Sequence, residues 1–359
     1  MQQVDVRVAG GSYPVLIGPG TLGRLDALID RHTTAPARRI VVSAPGIWRL
    51  YERAMPASLR QEPPILIPEG EKHKTLTSVA RIYDALIRTG ADRATTLIAL
   101  GGGVVGDITG FAAATYLRGI PCVQVPTTLL AQVDSAIGGK TGVNHALGKN
   151  LIGAFHQPSA VVSDPGTLGS LARREFRSGL YEVVKYGVIA SPGLFTRLEA
   201  TLPAIFARDE ASLAPVVAES AQIKAEVVGE DERESGRRRI LNFGHTAGHA
   251  LEAITRYRRF RHGEAIAWGM LIAAELGVRR KAFHPADRDA LAALIRQMGP
   301  LPAIADLPAS QAADAIRRDK KVIAGTLHFV LPVALGKVEI VDDVSGRELI
   351  RAMKAVGMA

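Results

Sequence analysis

Cysteine is nearly absent from this sequence, since Cys122 is the only one among 359 residues. A chain with one cysteine forms no internal disulfide, and such usage is typical of a reducing compartment. The segment around it, GIPCVQVP, predicts a buried strand. We therefore interpret the thiol as part of the core and not as a nucleophile.

Long apolar runs are missing as well. A membrane-spanning helix requires about 18 or more apolar residues, whereas the run AIAWGMLIAA ends at Glu275. The N-terminal stretch MQQVDVRVAGGSYPVLIG lacks a basic segment followed by an apolar one, so no signal peptide is expected. These absences predict a soluble, cytoplasmic protein that does not interact with membranes.

Positive charge is plentiful, with a net charge of +9 and arginine clusters at 235–240 (SGRRRI) and 256–264 (RYRRFRHGE). A basic chain raises the question of nucleic-acid binding. These clusters are short, and no nucleic-acid-binding motif accompanies them. Because they lie close to His245 and His262 in the sequence, we expect them to hold an anionic small substrate, or in part to form a solvated basic face, and we expect no nucleic-acid partner.

The composition is otherwise that of a globular protein, with 47% apolar and 22% charged residues, and the length favours two domains. Residues 1–165 alternate short β-type runs with helical patterns. Gly10-Gly11 between VDVRVA and YPVLIG indicates a hairpin. The later runs are RRIVVS, PILIP, TTLIALG, IPCVQVP and SAVVSD. This rhythm predicts a Rossmann-like α/β domain with a mainly parallel sheet and ligand sites at the carboxyl ends of its strands.

Residues 166–359 have a different pattern. Long amphipathic runs dominate from 170 to 300, and a late β pair is expected where LHFVLPV and KVEIV flank Gly336. We therefore predict a mainly helical second domain for binding metal and substrate, with the boundary near Asp164-Pro165-Gly166.

The segment GGGVVG fits the pattern G-x-G-x-x-G through Gly101, Gly103 and Gly106. It follows a predicted strand and opens a predicted helix, which is the setting in which backbone N–H groups hold a dinucleotide pyrophosphate. The loop sits on a late strand, however, and no acidic residue follows about 20 residues later to bind a ribose. A tight turn in which the glycines serve only packing is the alternative.

Two further loops carry polar residues suited to a nucleotide or an anionic polyol. In PEGEKHK (68–74), Glu69 and Glu71 could accept ribose hydroxyls, while Lys72 and Lys74 could meet phosphate. The segment 125–155 is long and rich in glycine, which predicts flexible backbone, and it carries lysines and amides. Its polar residues of interest are Asp134, Lys140, Asn144, Lys149 and Asn150.

The segment LNFGHTAGHALEAI places His245 and His249 four residues apart in a predicted helix, so they share one face. His262 begins the next predicted helix and is a third candidate metal ligand. Glu182, in the apolar run GLYEVVKYGV, is the candidate carboxylate. It is either paired with Lys185 or a ligand, and spacing alone does not choose which two histidines would accompany it.

A group of ordered motifs resembles the 3-dehydroquinate synthase family of the sugar-phosphate cyclase superfamily, from about residue 65 to 335. The motifs are GGGVVGD, VPTTLLAQVDSAIGGKTGVN, GKNLIGAFHQP, REFRSGLYEVVKYG, LNFGHTAGHALE, HGEAIAWGM and RDKK. The resemblance implies that Glu182, His245 and His262 bind the metal, and that His249 stays unligated beside the substrate.

The resemblance also implies two further sets of site residues. The NAD-binding set would be Glu69, Gly70, Glu71, Lys72, His73, Lys74, Gly103, Val104, Val105, Gly106, Asp107, Thr127, Thr128, Lys140, Lys149, Thr167, Leu168, Gly169 and Ser170. The substrate set would be Arg118, Asp134, Lys140, Asn150, Lys185, Lys224, Arg238, Asn242, His249 and one of Lys320 and Lys321.

The activity implied by the resemblance is conversion of 3-deoxy-D-arabino-heptulosonate 7-phosphate into 3-dehydroquinate and phosphate, a step of the shikimate pathway. Transient oxidation by NAD, loss of phosphate, re-reduction and an intramolecular aldol closure would leave no net redox change. One divalent metal ion, zinc or cobalt, and a homodimer are also implied. The alternatives are another sugar-phosphate cyclase and an iron-type polyol dehydrogenase.

Overall fold

The computed structural model describes residues 1–33, 38–318, 322–323 and 326–359. They form two compact units. Unit 1 comprises Met1–Ala172 and Ala207–Arg233, and unit 2 comprises Arg173–Phe206 and Glu234–Ala359. The sequence predicted one boundary, near residue 165. In this division the chain first passes from unit 1 to unit 2 after Ala172, and the segment Ala207–Arg233 belongs to unit 1 again.

The described residues of unit 1 form a seven-stranded sheet, a separate hairpin and five α-helices. The strands are β1 (Gln2–Val8), β2 (Gly11–Ile17), β3 (Arg39–Ser43), β4 (Ile65–Leu66), β5 (Thr96–Gly101), β6 (Cys122–Pro126), β7 (Lys140–His145), β8 (Gly148–Phe155) and β9 (Ala160–Ser163). The helices are α1 (Leu25–Asp30), α2 (Pro45–Tyr51), α3 (Leu76–Arg88), α4 (Gly103–Thr115) and α7 (Glu210–Glu230).

The large sheet has the strand order β1-β2-β9-β6-β5-β3-β4. Strands β1 and β2 form the antiparallel hairpin predicted at Gly10-Gly11, and every other neighbouring pair is parallel. Alternate residues of β3 face opposite sides, since Ile40 and Val42 join one buried cluster and Val41 joins another. Strands buried on both faces explain the nearly continuous apolar runs in the sequence.

The segment 140–155 is a β-hairpin made of β7 and β8, where the sequence predicted flexible loop backbone. Its glycines are required by close approach of the two strands. A Cβ on Gly142 would lie 2.6 Å from the Ile152 carbonyl oxygen, and one on Gly153 would overlap the Thr141 carbonyl oxygen. Glycine at these positions hides the alternation of apolar and polar residues by which strands are recognised.

Unit 2 is mainly helical, as expected. Its helices are α5 (Arg173–Ile189), α6 (Pro192–Phe206), α8 (His245–Ile254), α9 (His262–Arg279), α10 (Pro285–Gln297), α11 (Ala309–Arg318) and α12 (Gly346–Ala355). Its strands are β10 (Val322–Ile323), β11 (Thr326–Leu327), β12 (Phe329–Ala334) and β13 (Lys337–Val341). Strands β12 and β13 pair around Gly336, which confirms the predicted late β pair.

Helices α8 and α9 lie close together because glycines line their contact. A Cβ on Gly248 would lie 2.8 Å from the Ala265 carbonyl oxygen, and one on Gly269 would overlap the Gly244 carbonyl oxygen. Gly244 itself has a φ of 77° directly before His245, a left-handed conformation that favours glycine. These contacts fix where α8 begins, and therefore where its first histidine lies.

In the part of the chain that the structure describes, no helix combines the length and apolar character needed to cross a membrane. Lys320 and Lys321, predicted from the RDKK motif, lie outside the described residues.

Candidate active site

Three histidines of unit 2 lie together. His245 is the first residue of α8, His249 follows one turn later, and His262 is the first residue of α9. One ring nitrogen from each lies within 4.8 Å of the others. Their arrangement therefore suits a single divalent cation that accepts imidazole ligands.

Glu182 of α5 lies beside two of these rings, and its side chain is fully buried. Its Oε1 is 3.6 Å from His245 Nε2 and 3.5 Å from His262 Nε2. Ligand atoms of a tetrahedral zinc site lie about 3.3 Å apart. Its Oε2 is 2.5 Å from the Nζ of Lys185, one helical turn away. The carboxylate thus faces the lysine and the histidines at once, so the two roles weighed from the sequence are compatible.

The hydrogen bonds of the rings determine which nitrogens face the carboxylate. His245 Nδ1 lies 3.2 Å from the Phe243 carbonyl oxygen, which can only accept, so this nitrogen carries the proton. The other ring nitrogen, Nε2, faces Glu182. In His262, Nδ1 faces another carboxylate, that of Glu252, at 3.6 Å, and Nε2 again faces Glu182. Metal-binding histidines commonly use one nitrogen for the metal and the other for an acceptor of this kind.

Glu252 is a site residue that the sequence reasoning missed. It is buried in α8, and besides His262 it lies 4.0 Å from His249 Nε2. Burial opposes a charge on His262, but Glu182 and Glu252 outweigh it and raise the pKa of His262 to about 9. The spacing of Glu252 could have indicated its role from the sequence. Glu252 follows His245 by seven residues and His249 by three, and both spacings place side chains on the same face of a helix.

Glu252→Gln is expected to weaken metal binding by about 10- to 100-fold, because the substitution keeps the shape but removes the charge that orients His262. The dissociation constant for Zn²⁺ would be measured by competition with a chelating indicator. Glu275→Gln is the matched control, since Glu275 is a buried glutamate of α9 that pairs with Arg279 and Arg288. Equal weakening in both variants would mean a general loss of stability.

The start of α9 is fixed against α5 by close backbone contacts. A Cβ on Gly263 would overlap the Ser178 carbonyl oxygen, and the Gly263 N–H donates to Ser178 Oγ at 2.9 Å. Glu264 is buried. Its carboxylate accepts two 2.7 Å hydrogen bonds from Arg174 and one hydrogen bond from the Arg261 N–H. Because His262 and Glu182 lie on these two helices, the glycine sets their separation.

Gly263→Ala is expected to lower the free energy of unfolding by about 1–3 kcal/mol, because the added methyl group forces the two helices apart. Metal affinity should fall as well, since His262 moves away from Glu182. Urea unfolding and Zn²⁺ titration would measure both. Gly193→Ala is the control, because Gly193 holds the same second position in α6 and its Cβ would meet nothing closer than 3.8 Å. A similar loss in both variants would contradict the prediction.

Unit 2 holds two more of the predicted substrate residues. Arg238 is buried, at 1% exposure, in a short 3₁₀ helix that directly precedes α8. Asn242, at the end of that helix, donates from Nδ2 to Glu234 Oε1 at 2.8 Å. Glu234 was not predicted from the sequence. A buried guanidinium is the kind of group that holds an anion away from water.

In unit 1, the predicted NAD-binding residues follow the carboxyl ends of neighbouring parallel strands. Residues 69–74 come after β4, 103–107 after β5, 127 and 128 after β6, and 167–170 after β9. Carboxyl ends of parallel strands meet at one edge of the sheet, where ligands of such folds bind. Lys140 and Lys149 lie on the hairpin strands β7 and β8.

The glycines of the loop 101–106 are closely packed against neighbouring side chains. A Cβ on Gly102 or Gly103 would lie 2.9 Å from Thr128 Cγ2 or Ser135 Oγ respectively. The N-terminus of α4, where backbone N–H groups are available to an anion, follows at once. Ser135, missed in the sequence, is thereby a neighbour of this loop. Gly101 and Gly106 also serve packing, since their Cβ atoms would meet Val105 and Gln124.

The predicted substrate residues of unit 1 differ in their surroundings. Asp134 receives a short charged hydrogen bond from Lys224 of α7, whose Nζ also lies 2.5 Å from the Asp134 carbonyl oxygen. Arg118, by contrast, is exposed and follows the end of α4.

Two family models match the chain, one described as 3-dehydroquinate synthase N-terminal over residues 64–178 and one as 3-dehydroquinate synthase C-terminal over residues 179–322. The chain belongs to the 3-dehydroquinate synthase family. The 3-dehydroquinate synthase of Acaryochloris marina is 45% identical to this chain over 369 aligned residues. The alignment covers 99% of each of the two chains. The resemblance of the motifs is confirmed.

Solved structures of other cyclases have the same fold. The 2-epi-5-epi-valiolone synthase of Streptomyces hygroscopicus, with NAD⁺ and Zn²⁺ bound, is 29% identical, with a TM-score of 0.86 and 96% of each chain covered. A 2-deoxy-scyllo-inosose synthase complexed with carbaglucose-6-phosphate, NAD⁺ and Co²⁺ is 25% identical, with a TM-score of 0.87 and 99% and 100% of the two chains covered. The predicted fold class is therefore confirmed.

Proposed function

We propose that this chain is a 3-dehydroquinate synthase that converts 3-deoxy-D-arabino-heptulosonate 7-phosphate into 3-dehydroquinate and phosphate. In a chain of this family, one observation carries the proposal. The buried Glu182 carboxylate lies 3.5 and 3.6 Å from ring nitrogens of two histidines. The enzyme is then a phosphate-eliminating carbon–oxygen lyase.

The proposed cofactors are NAD and one divalent metal ion. The cyclases that bind NAD⁺ with Zn²⁺ or Co²⁺ support this choice, and a carboxylate with two imidazoles suits either metal. When bound, NAD supplies a reversible hydride acceptor and the metal ion supplies a Lewis acid. The backbone at the start of α4 and the loops after β4, β6 and β9 would hold the nucleotide.

We assign the metal ligands as Glu182, His245 and His262. Support comes from the ring nitrogens, because both of these histidines turn Nε2 toward Glu182 and Nδ1 toward another acceptor. His249 differs, since its Nε2 lies near Glu252. In this assignment His249 is not a metal ligand and moves protons to and from substrate oxygens, and Asn242 and Asp134 also donate to or accept from those oxygens.

The cationic side chains bind the carboxylate and the phosphate of the substrate. Lys185 and Arg238 are buried in unit 2, and Lys224 is buried in unit 1. Buried cations bind anionic groups strongly because water competes less for them. Positioning one substrate for each step can contribute about 7–11 kcal/mol to lowering a barrier. Arg118, Lys140, Asn150 and one of Lys320 and Lys321 complete the proposed substrate set.

The experiment is to follow phosphate release from the heptulosonate phosphate and the absorbance at 340 nm in one cuvette, with catalytic NAD. Stoichiometric phosphate without a lasting absorbance rise, abolished by a chelator, supports the proposal. A rise that matches turnover would indicate a polyol dehydrogenase. Absence of phosphate with this substrate would contradict the proposal and lead to the substrates of the other cyclases.

We also propose that the protein works as a cytoplasmic homodimer, as the family resemblance implies. Light scattering coupled to size-exclusion chromatography measures the assembly directly, and a mass of 38.2 kDa, that of one chain, would contradict the dimer.

A further inference from the structure

Lys74 differs from the other lysine of its loop. Lys72 is exposed, whereas Lys74 is 5% exposed, although both lie in the segment 69–74 that the resemblance links to NAD. The Nζ of Lys74 is 2.5 Å from Asp107 Oδ2 and 2.5 Å from Asn150 Oδ1. An ammonium group has three donors, so these two side chains take most of its hydrogen-bonding capacity.

The two partners of Lys74 belong to different proposed sets. Asp107 lies in the early part of α4 and is among the NAD-binding residues, while Asn150 lies on β8 and is among the substrate residues. Burial raises the pKa of Asp107, and the charge of Lys74 opposes that rise. The lysine is therefore the counter-ion of Asp107 as well as a donor to Asn150.

Asn150 is held in an unusual conformation by a second asparagine. Its φ is 53°, in the left-handed region. The Asn150 N–H donates to Asn144 Oδ1 at 2.9 Å, and Asn144 Nδ2 donates to Glu71 Oε1 at 2.8 Å. The Asn144 N–H donates to the Lys74 carbonyl oxygen at 2.8 Å. The loop 69–74 and the hairpin β7–β8 are thus joined by a closed set of hydrogen bonds.

We propose that Lys74 is a positioning residue, which orients Asn150 for the substrate and neutralises the buried Asp107 carboxylate, and is not a ligand of the nucleotide phosphates. The inference rests on the proposed function for the roles of Asn150 and Asp107. Its geometric basis is that the ammonium is buried and already directed at both side chains. Loss of Lys74 should therefore disturb substrate binding while leaving the pyrophosphate contacts in place.

Lys74→Met tests the proposal, because it keeps the length of the side chain and removes the donor and the charge. ADP-ribose is the probe for pyrophosphate contacts and would be titrated by calorimetry. We expect its dissociation constant to change by less than about threefold, while KM for the heptulosonate phosphate rises about 10-fold or more. Arg81→Met is the control, since Arg81 is an exposed cation on the following helix, α3, and neither constant should change.

The opposite pattern overturns the proposal. If Lys74→Met weakens ADP-ribose binding about 10-fold or more and leaves KM for the substrate unchanged, Lys74 is a phosphate ligand. If the single variant does not fold, Lys74→Met with Asp107→Asn removes the uncompensated carboxylate, and its two constants are compared with those of Asp107→Asn alone. Absence of phosphate release by the unaltered protein would instead contradict the proposed function, and ADP-ribose binding would still show whether Lys74 contacts phosphate.

A double-variant cycle separates positioning from a general structural role. If Lys74 acts on the substrate through Asn150, KM of Lys74→Met combined with Asn150→Ala should be no higher than that of Asn150→Ala alone. Additive increases in KM would mean that the two side chains act independently, and would contradict the proposal.

Discussion

His245→Ala is expected to lose the bound metal ion and the activity together, whereas His249→Ala is expected to retain the metal and lose rate. His245 turns Nε2 toward Glu182, while the Nε2 of His249 lies near Glu252. Loss of a Lewis acid that contributes several kcal/mol lowers kcat/KM on the order of 10³-fold or more. Loss of a group that transfers protons lowers kcat by about 10²-fold.

The measurements are metal content per chain after dialysis and steady-state kinetics of phosphate release. His284→Ala is a suitable control, because His284 is an exposed histidine that precedes α10 and its substitution should leave the metal content unchanged. If His249→Ala lost the metal while His262→Ala retained it, the assignment of Glu182, His245 and His262 would be wrong.

The sheet of unit 1 could be predicted because its strands are buried on both faces. Continuous apolar runs such as TTLIALG and IPCVQVP became β5 and β6, and the turn at Gly10-Gly11 became the β1–β2 hairpin. The hairpin β7–β8 could not be recognised in this way. Its strand residues include the glycines required for close approach of the two strands, and its apolar side chains do not alternate clearly.

The membership of α7 in unit 1 also could not be read from the sequence. An amphipathic pattern gives the face that a helix buries but not the partner that covers it. In the structure, Lys224 of α7 bonds to Asp134, and a Cβ on Gly229 would lie 2.9 Å from the Arg7 carbonyl oxygen. Both contacts join residues that are far apart in the chain, so no local pattern indicates them.

In the candidate site, the sequence predicted which residues take part but did not show which of the histidines bind the metal. Spacing placed His245 and His249 on one face and left the choice of two histidines open. The resemblance implied a choice, and the hydrogen bonds of the individual ring nitrogens now support it. Glu252 and Asn144 contact other predicted site residues, His262 and Asn150. Spacing places Glu252 on the histidine face of α8, but which side chains these two residues contact is known only from distances between side chains.

Lys185→Met is expected to lower the free energy of unfolding of the metal-free protein by about 3–5 kcal/mol, because it removes one partner of a buried ion pair. Lys185 and Glu182 are 1% and 0% exposed and their charged atoms are 2.5 Å apart. With Zn²⁺ present the loss should be smaller, since a divalent cation at Glu182 Oε1 compensates the carboxylate. Urea unfolding with a chelator and with excess Zn²⁺ measures the difference.

The double variant Lys185→Met, Glu182→Gln is the control for the buried charge. With neither charge present, most of the lost stability should return in the metal-free protein, and added Zn²⁺ should no longer stabilise it. If Lys185→Met were destabilised equally with and without Zn²⁺, Glu182 would be only the partner of the lysine, and the metal site would have to be built from the histidines. A metal-dependent difference that disappears with Glu182→Gln would instead mean that one buried carboxylate serves both the lysine and the metal.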